Sequence, residues 1–72
     1  MKRFIYEVAG YEFEGAEAFG KAWKDAKATA AGQGLPIYRT VIKGEAERHE
    51  VFTAGGCFLP VDMVKPEDVA LF

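Results

Sequence analysis

The sequence predicts an α+β domain: a β-hairpin, one central helix and a three-stranded antiparallel meander, with the helix packed on one face of the sheet. Three observations lead to this prediction. One long stretch with helical periodicity stands between two segments of alternating or β-branched residues, glycines separate the segments, and half of the 72 residues are hydrophobic. A chain of this length holds one core, so residues 1–72 are predicted to form a single domain with residues 61–72 as a C-terminal tail.

The first segment predicts the hairpin. Large apolar and polar side chains alternate over residues 3–8 and again over residues 11–14. A two-residue turn at Ala9-Gly10 sets Val8 opposite Tyr11 and brings the large side chains of both strands to one face. Alanine is a poor residue for the positive φ that such a turn requires, so a longer loop with a bulge is the alternative.

Residues 15–34 are predicted to form the only long helix. Its apolar stripe recurs at helical spacing and consists of Phe19, Ala22, Trp23, Ala26 and Ala30. Gly15 is the expected N-cap, since no Ser, Thr, Asp or Asn is available there. Gly20 lies inside the predicted helix, where a close approach of another backbone would account for a glycine. Gly32 or Gly34 is expected to end the helix before Pro36.

The meander follows the helix. Its strands are predicted at residues 36–43, 48–54 and 57–59, with a polar turn at residues 44–47 and a tight turn at Gly55-Gly56. Pro60 confines the third strand to an edge or ends it. In the tail, Pro66 is expected to begin one short helical turn.

Alternation divides the meander into two faces. One is nearly free of charge and is predicted to meet the helix: Tyr38, Thr40, Ile42, His49, Val51, Thr53 and Phe58. The other mixes apolar and charged residues, as many interfaces do, and is predicted to bind another protein through Ile37, Arg39, Val41, Arg48, Glu50, Phe52 and Leu59. The alternative is that the tail folds over this second face through Val64, Val69, Leu71 and Phe72.

Composition restricts the functional classes. Nine basic and eleven acidic residues give a net charge of −2, whereas a dedicated non-specific nucleic-acid binder carries a basic excess. The single cysteine excludes an intramolecular disulfide framework and indicates a reducing, cytoplasmic setting. No apolar run approaches the ~18 residues of a membrane span, so no membrane partner is expected.

The residues that carry chemistry are few. Cys57 and His49 are the only residues that could form a pair of nucleophile and base. The simpler interpretation is that Cys57 is a small buried residue and His49 a partly buried residue of a strand. We therefore expect no catalytic residues, no metal site and no cofactor. The glutamates of the first half follow strand and helix exposure, which predicts a solvated acidic edge.

These patterns favour a non-enzymatic protein–protein interaction module, and they do not identify its biological process. Its simplest form is a homodimer that pairs a sheet face or an edge strand with a second copy. The alternative is a nucleic-acid-binding accessory protein that uses Arg39, Lys43, Arg48 and the neighbouring aromatic residues.

Overall fold

An antiparallel five-stranded sheet in the order β2-β1-β3-β4-β5 is the frame of the computed structural model, which describes residues 1–72. The strands are β1 (Lys2–Val8), β2 (Tyr11–Gly15), β3 (Tyr38–Lys43), β4 (Ala46–Phe52) and β5 (Phe58–Pro60). One helix, α1 (Lys21–Ala30), joins β2 to β3 and packs on β1 and β2. The α+β class and the order hairpin, helix, meander are therefore confirmed.

The hairpin has the predicted two-residue turn. Val8 pairs with Tyr11, and both turn residues have positive φ, 50° at Ala9 and 89° at Gly10. Two successive positive φ angles match the right-handed twist of the flanking strands. The alternative of a longer loop with a bulge is wrong. Ala9 does adopt the left-handed conformation, although alanine disfavours it.

The helix begins later than the sequence predicts. Gly15 pairs with Phe4 as the last residue of β2, residues 16–20 form bends and turns, and Gly20 is the N-cap. A Cβ added at Gly15 would lie 3.3 Å from the Cβ of Ala22, so this glycine allows β2 to approach the start of α1. Phe19 accordingly lies outside the helix and is 56% exposed.

The core fills the space between α1 and the sheet. We call the sheet face that packs against α1 the inner face. The predicted stripe residues Ala22, Trp23, Ala26 and Ala30 are all buried in it. Trp23 is the centre of an aromatic cluster whose other rings have centroids within 6.0 Å of its own: Tyr6, Phe19, Phe52, Phe58 and Phe72.

The tail packs on both sides of the sheet. Pro66–Asp68 forms the expected helical turn, as a 3₁₀ helix, and Val69 then forms an isolated bridge with Thr53. Phe72 enters the aromatic cluster, and its carbonyl accepts hydrogen bonds from the N–H groups of residues 32 and 34. Leu71, by contrast, lines an apolar groove on the opposite sheet face, which we call the outer face.

The faces of β3 and β4 are the reverse of those predicted, whereas Phe58 of β5 lies in the core as expected. Tyr6 of the core pairs with Arg39, and Arg39 pairs with Glu50, so all three side chains share the inner face. Ile37, Val41, Arg48 and Phe52, which were predicted to lie on the partner-binding face, are also on this inner face. The prediction fails because it treats charge as a mark of exposure, whereas Arg39 and Glu50 neutralise each other beside the core.

The last strand is shifted by one residue from its predicted register. Phe58 pairs with Phe52 on the inner face, and Leu59 pairs with Val51 on the outer face. The loop between the strands spans residues 53–57 and is longer than a tight Gly55-Gly56 turn. Thr53 stabilises this loop, since its N–H and its Oγ1 both donate to the carbonyl of Cys57, at 2.9 and 2.7 Å.

Candidate functional site

A cavity of about 320 Å³ lies at the part of the inner face that α1 leaves open. We call it the basic cavity; its lining residues are Lys2, Phe4, Arg39, Val41, Lys43, Ala46, Arg48 and Glu50. Four of the seven residues predicted to bind a partner are among them, and so are all three cations of the nucleic-acid alternative. The sequence therefore grouped residues that line one cavity, while assigning them to the wrong face.

Strand register brings these side chains together. Phe4 of β1 pairs with Val41 of β3, and Val41 pairs with Arg48 of β4, so three strands contribute one row of side chains. Two residues along each strand, Lys2 pairs with Lys43 and begins a second row on the same face. The floor of the basic cavity is thus apolar, formed by Phe4 and Val41, and the cationic side chains of Lys2, Lys43 and Arg48 lie along its rim.

A buried ion pair forms one wall. The side chain of Glu50 is 3% exposed and that of Arg39 is 12% exposed. Arg39 Nε and Nη2 lie 2.9 and 2.7 Å from Glu50 Oε1, and the guanidinium carbon lies 3.9 Å from the ring centroid of Phe58. A guanidinium held by a carboxylate and an aromatic face is fixed in position.

The carboxylate of Glu50 has a second partner. Arg48 Nη2 donates to its Oε2 at 2.9 Å, although the Arg48 side chain is 72% exposed. Burial acts to raise the pKa of Glu50. The hydrogen bonds from Arg39 and Arg48, together with the positive charges of these residues, lower the pKa by more than burial raises it. The pKa of Glu50 therefore lies below its ordinary value of 4.5, and the group is ionised at neutral pH.

The basic cavity keeps an excess of positive charge. It contains four cationic side chains and one carboxylate, and neither Lys2 nor Lys43 takes part in a salt bridge. Arg48 is mostly exposed, so it retains donors for a further partner. A local excess of cations in a chain of net charge −2 favours an anionic ligand.

Most aromatic residues next to the basic cavity are unsuited to stacking. Phe4, Tyr6 and Phe58 are all buried in the core. Tyr38 is partly exposed, but it lies on the outer face, opposite Glu7 and Val51. Phe19 is the exception: it is 56% exposed, and its ring centroid lies 5.9 Å from the guanidinium carbon of Arg39, although it does not line the cavity. A ligand in the basic cavity therefore meets cations and an apolar floor, with one exposed ring beside them.

The remaining predicted binding residues lie elsewhere. Ile37 is completely buried, Phe52 packs against the core, and Leu59 is 44% exposed on the outer face. The seven residues thus do not form one continuous surface. Lys2 and Phe4 were missed, although their alternation with Tyr6 places all three on one face; what sequence alone lacked was the pairing of β1 with β3.

The two residues with catalytic potential are not in contact. His49 Nδ1 lies 3.2 Å from Thr40 Oγ1 on the outer face, and its Nε2 lies 3.7 Å from Glu47. The prediction of a buried Cys57 is wrong: this residue is exposed in the loop after β4, where its Sγ lies 3.6 Å from Thr53 Oγ1. The structure provides no hydrogen bond between this thiol and this imidazole.

No helix in the fold has the length and hydropathy needed to cross a membrane. Comparison with models of protein families, with characterised proteins and with solved structures gave no significant match.

Proposed function

We propose that this protein is a non-enzymatic interaction module that binds an acidic segment of another protein in the basic cavity. The observation that carries the proposal is the charge of this cavity: Lys2, Lys43 and Arg48 surround it, while its only carboxylate already neutralises Arg39. Carboxylates of a partner would gain charge-assisted hydrogen bonds from these cations.

The shape of the basic cavity also supports a protein segment. Its volume of about 320 Å³ lies at the lower end of the range for small-ligand sites and accommodates a few side chains. Phe4 and Val41 offer an apolar floor between the cations. An extended segment in which glutamates or aspartates flank an apolar residue matches this arrangement of charge and floor.

Nucleic acid is the second candidate ligand. It is favoured by one observation, the convergence of Arg39, Lys43 and Arg48 in one cavity. Single-stranded binding usually adds stacking on several aromatic rings to a cationic groove, whereas Phe19 is the one exposed ring beside this cavity. We therefore argue for the acidic protein segment and use the oligonucleotide as a competitor in the test.

The test is a titration of the protein into a fluorescently labelled acidic peptide of alternating glutamate and leucine. Arg48→Glu and Lys43→Glu are each expected to weaken binding by about tenfold or more, which corresponds to about 1.4 kcal/mol. Lys24→Glu makes the same change of charge on the exposed side of α1 and is expected to leave binding unchanged.

Two outcomes would contradict this proposal. Equal affinity of the two cavity variants and the Lys24 control would show that the basic cavity is not the binding site. An unlabelled thymidine oligonucleotide that binds more tightly than the peptide, with the same sensitivity to Arg48→Glu, would establish the nucleic-acid alternative instead.

A second copy of the chain is a further candidate partner. On the outer face, Tyr38, Leu59 and Leu71 are exposed next to an apolar groove of about 370 Å³. Burial of this groove in a two-fold dimer would remove apolar area from water. Sedimentation velocity at micromolar concentration checks the homodimer, and a monomer that persists throughout that range would rule it out.

We propose a cytoplasmic location, and the support for it is the state of the single cysteine. Cys57 is free and exposed, which is compatible with the reducing conditions of the cytoplasm.

A further inference from the structure

The sheet ends in a strand whose outer edge has no neighbour. β2 is the first strand of the order β2-β1-β3-β4-β5 and pairs only with β1. Val8 and Tyr11 flank the two-residue turn and therefore exchange both backbone hydrogen bonds. Pairs alternate along an antiparallel ladder, so the N–H and C=O groups of Glu12 and Glu14 are directed away from β1.

The same two residues make this edge acidic. Glu14 is held by Arg3, whose Nε donates to its Oε2 at 2.6 Å. Glu12 pairs directly with Glu7, and neither carboxylate takes part in a salt bridge within the chain. Like charges on directly opposed residues destabilise a sheet, so the isolated fold bears an uncompensated repulsion here.

We propose that the free edge of β2 accepts an extended, basic segment of another protein as a sixth strand. The backbone of Glu12 and Glu14 would supply the hydrogen bonds of strand addition. Lysines or arginines at alternate positions of the incoming strand would lie on the outer face beside Glu12 and Glu14, at about 4.5–5.5 Å between Cβ atoms. The cation beside Glu12 would also offset the repulsion from Glu7.

A second copy of the chain does not suit this edge. A two-fold antiparallel pairing of β2 with itself about Phe13 sets Glu12 of one copy opposite Glu14 of the other. Both such pairs would oppose carboxylates, which disfavours the pairing. The charge that protects the edge against self-association thus restricts the added strand to a basic one.

The test follows the amide hydrogen exchange of the ¹⁵N-labelled protein by NMR, with and without a blocked pentapeptide of alternating lysine and valine. We expect the amides of Glu12 and Glu14 to become protected by about tenfold or more, while that of Phe13, already bonded to β1, changes little. A matched peptide of glutamate and valine is expected to give no protection.

Two variants sharpen the test. Glu12→Pro removes an outward N–H and the carboxylate but no hydrogen bond to β1, so it is expected to retain the circular dichroism of the fold and to abolish the protection of Glu14. If Glu12→Pro does not fold, Glu12→Lys replaces it and is expected to weaken binding of the basic peptide by about tenfold. Lys43→Glu, in the basic cavity, is expected to leave strand addition unchanged.

The proposal is overturned if the lysine peptide protects neither Glu12 nor Glu14, or if both peptides protect them equally. Absence of protection would show that the glutamates only keep the edge from pairing. The basic cavity is lined by residues of β1, β3 and β4 and is proposed to bind an acidic segment, whereas the edge of β2 is proposed to bind a basic one. Either proposal can therefore fail while the other holds.

Discussion

At the scale of single residues, Glu50 determines the character of the basic cavity. It is almost fully buried, and it holds Arg39 in place while binding Arg48 from the rim. A buried ion pair adds little net stability over a well-packed apolar pair, but removal of one partner leaves an uncompensated charge. Glu50 is therefore the position at which a small change should disturb the site most.

Glu50→Ala is expected to lower the free energy of unfolding by about 3 kcal/mol, because Arg39 would remain buried without its carboxylate. Urea denaturation followed by circular dichroism measures the change. Asp25→Asn breaks the exposed pair with Lys21 and is expected to cost no more than about 0.5 kcal/mol. A similarly small decrease in unfolding free energy for both variants would show that the Arg39–Glu50 pair is not critical for stability.

The same carboxyl sets a dependence of stability on pH. The pKa of Glu50 is lower in the folded chain than its ordinary value of 4.5, so the unfolded chain binds the proton more readily. Its contribution to stability is full above pH 4.5 and is lost as the pH falls through the folded pKa. Unfolding free energies of the wild type and of Glu50→Ala are thus expected to converge in acid; a constant difference would contradict this.

At the scale of elements, the hairpin turn contains a residue that does not suit its conformation. Ala9 has a φ of 50° and is exposed, so nothing in the packing requires alanine there. Asparagine is a preferred residue at this position of a two-residue turn.

Ala9→Asn is expected to stabilise the protein by up to about 1 kcal/mol, because asparagine tolerates the left-handed region better than alanine. Ala9→Val should act in the opposite direction by a similar amount, since a β-branched side chain is strained at positive φ. Thermal unfolding of both variants measures the effect. The same sign for both would mean that the conformation of the turn is not the cause.

Elements with strictly local signals were predictable from sequence. The hairpin follows from alternation on both sides of Ala9-Gly10, and the stripe from Ala22 to Ala30 fixes the buried side of α1. The start of α1 was not predictable, because neither Gly15 nor Gly20 offers a side-chain cap that distinguishes one from the other. Gly15 is used instead by the ladder between β1 and β2.

At the scale of the whole molecule, Phe72 connects parts of the chain that are far apart in sequence. Its ring lies 6.0 Å from that of Trp23 and 5.6 Å from that of Phe52, measured between centroids. Its N–H donates to the carbonyl of Leu35, and its own carbonyl binds the backbone after α1. The last residue thus holds the end of the helix against β4.

Phe72→Ala is expected to destabilise the fold by about 2 kcal/mol, less than a fully buried phenylalanine because Phe72 is half-buried. The neighbouring Leu71 is 66% exposed, so Leu71→Ala is expected to cost less than about 0.5 kcal/mol. Urea denaturation of the two variants gives the comparison. Equal losses would contradict the role assigned to Phe72.

The candidate site illustrates what sequence could not supply at this scale. Arg39, Val41, Arg48 and Glu50 alternate visibly along the meander, and so they were grouped correctly. Their face was not predictable, because it depends on the pairing of β1 with β3, which lie more than thirty residues apart. That pairing also brings Lys2 into the basic cavity.

The position of Trp23 has a practical consequence. It is the only tryptophan, it is buried, and it touches rings from the hairpin, the meander and the last residue of the chain. Its fluorescence emission therefore originates from one site where all these parts meet. The intensity and wavelength of that emission report the integrity of the entire core, without any attached dye.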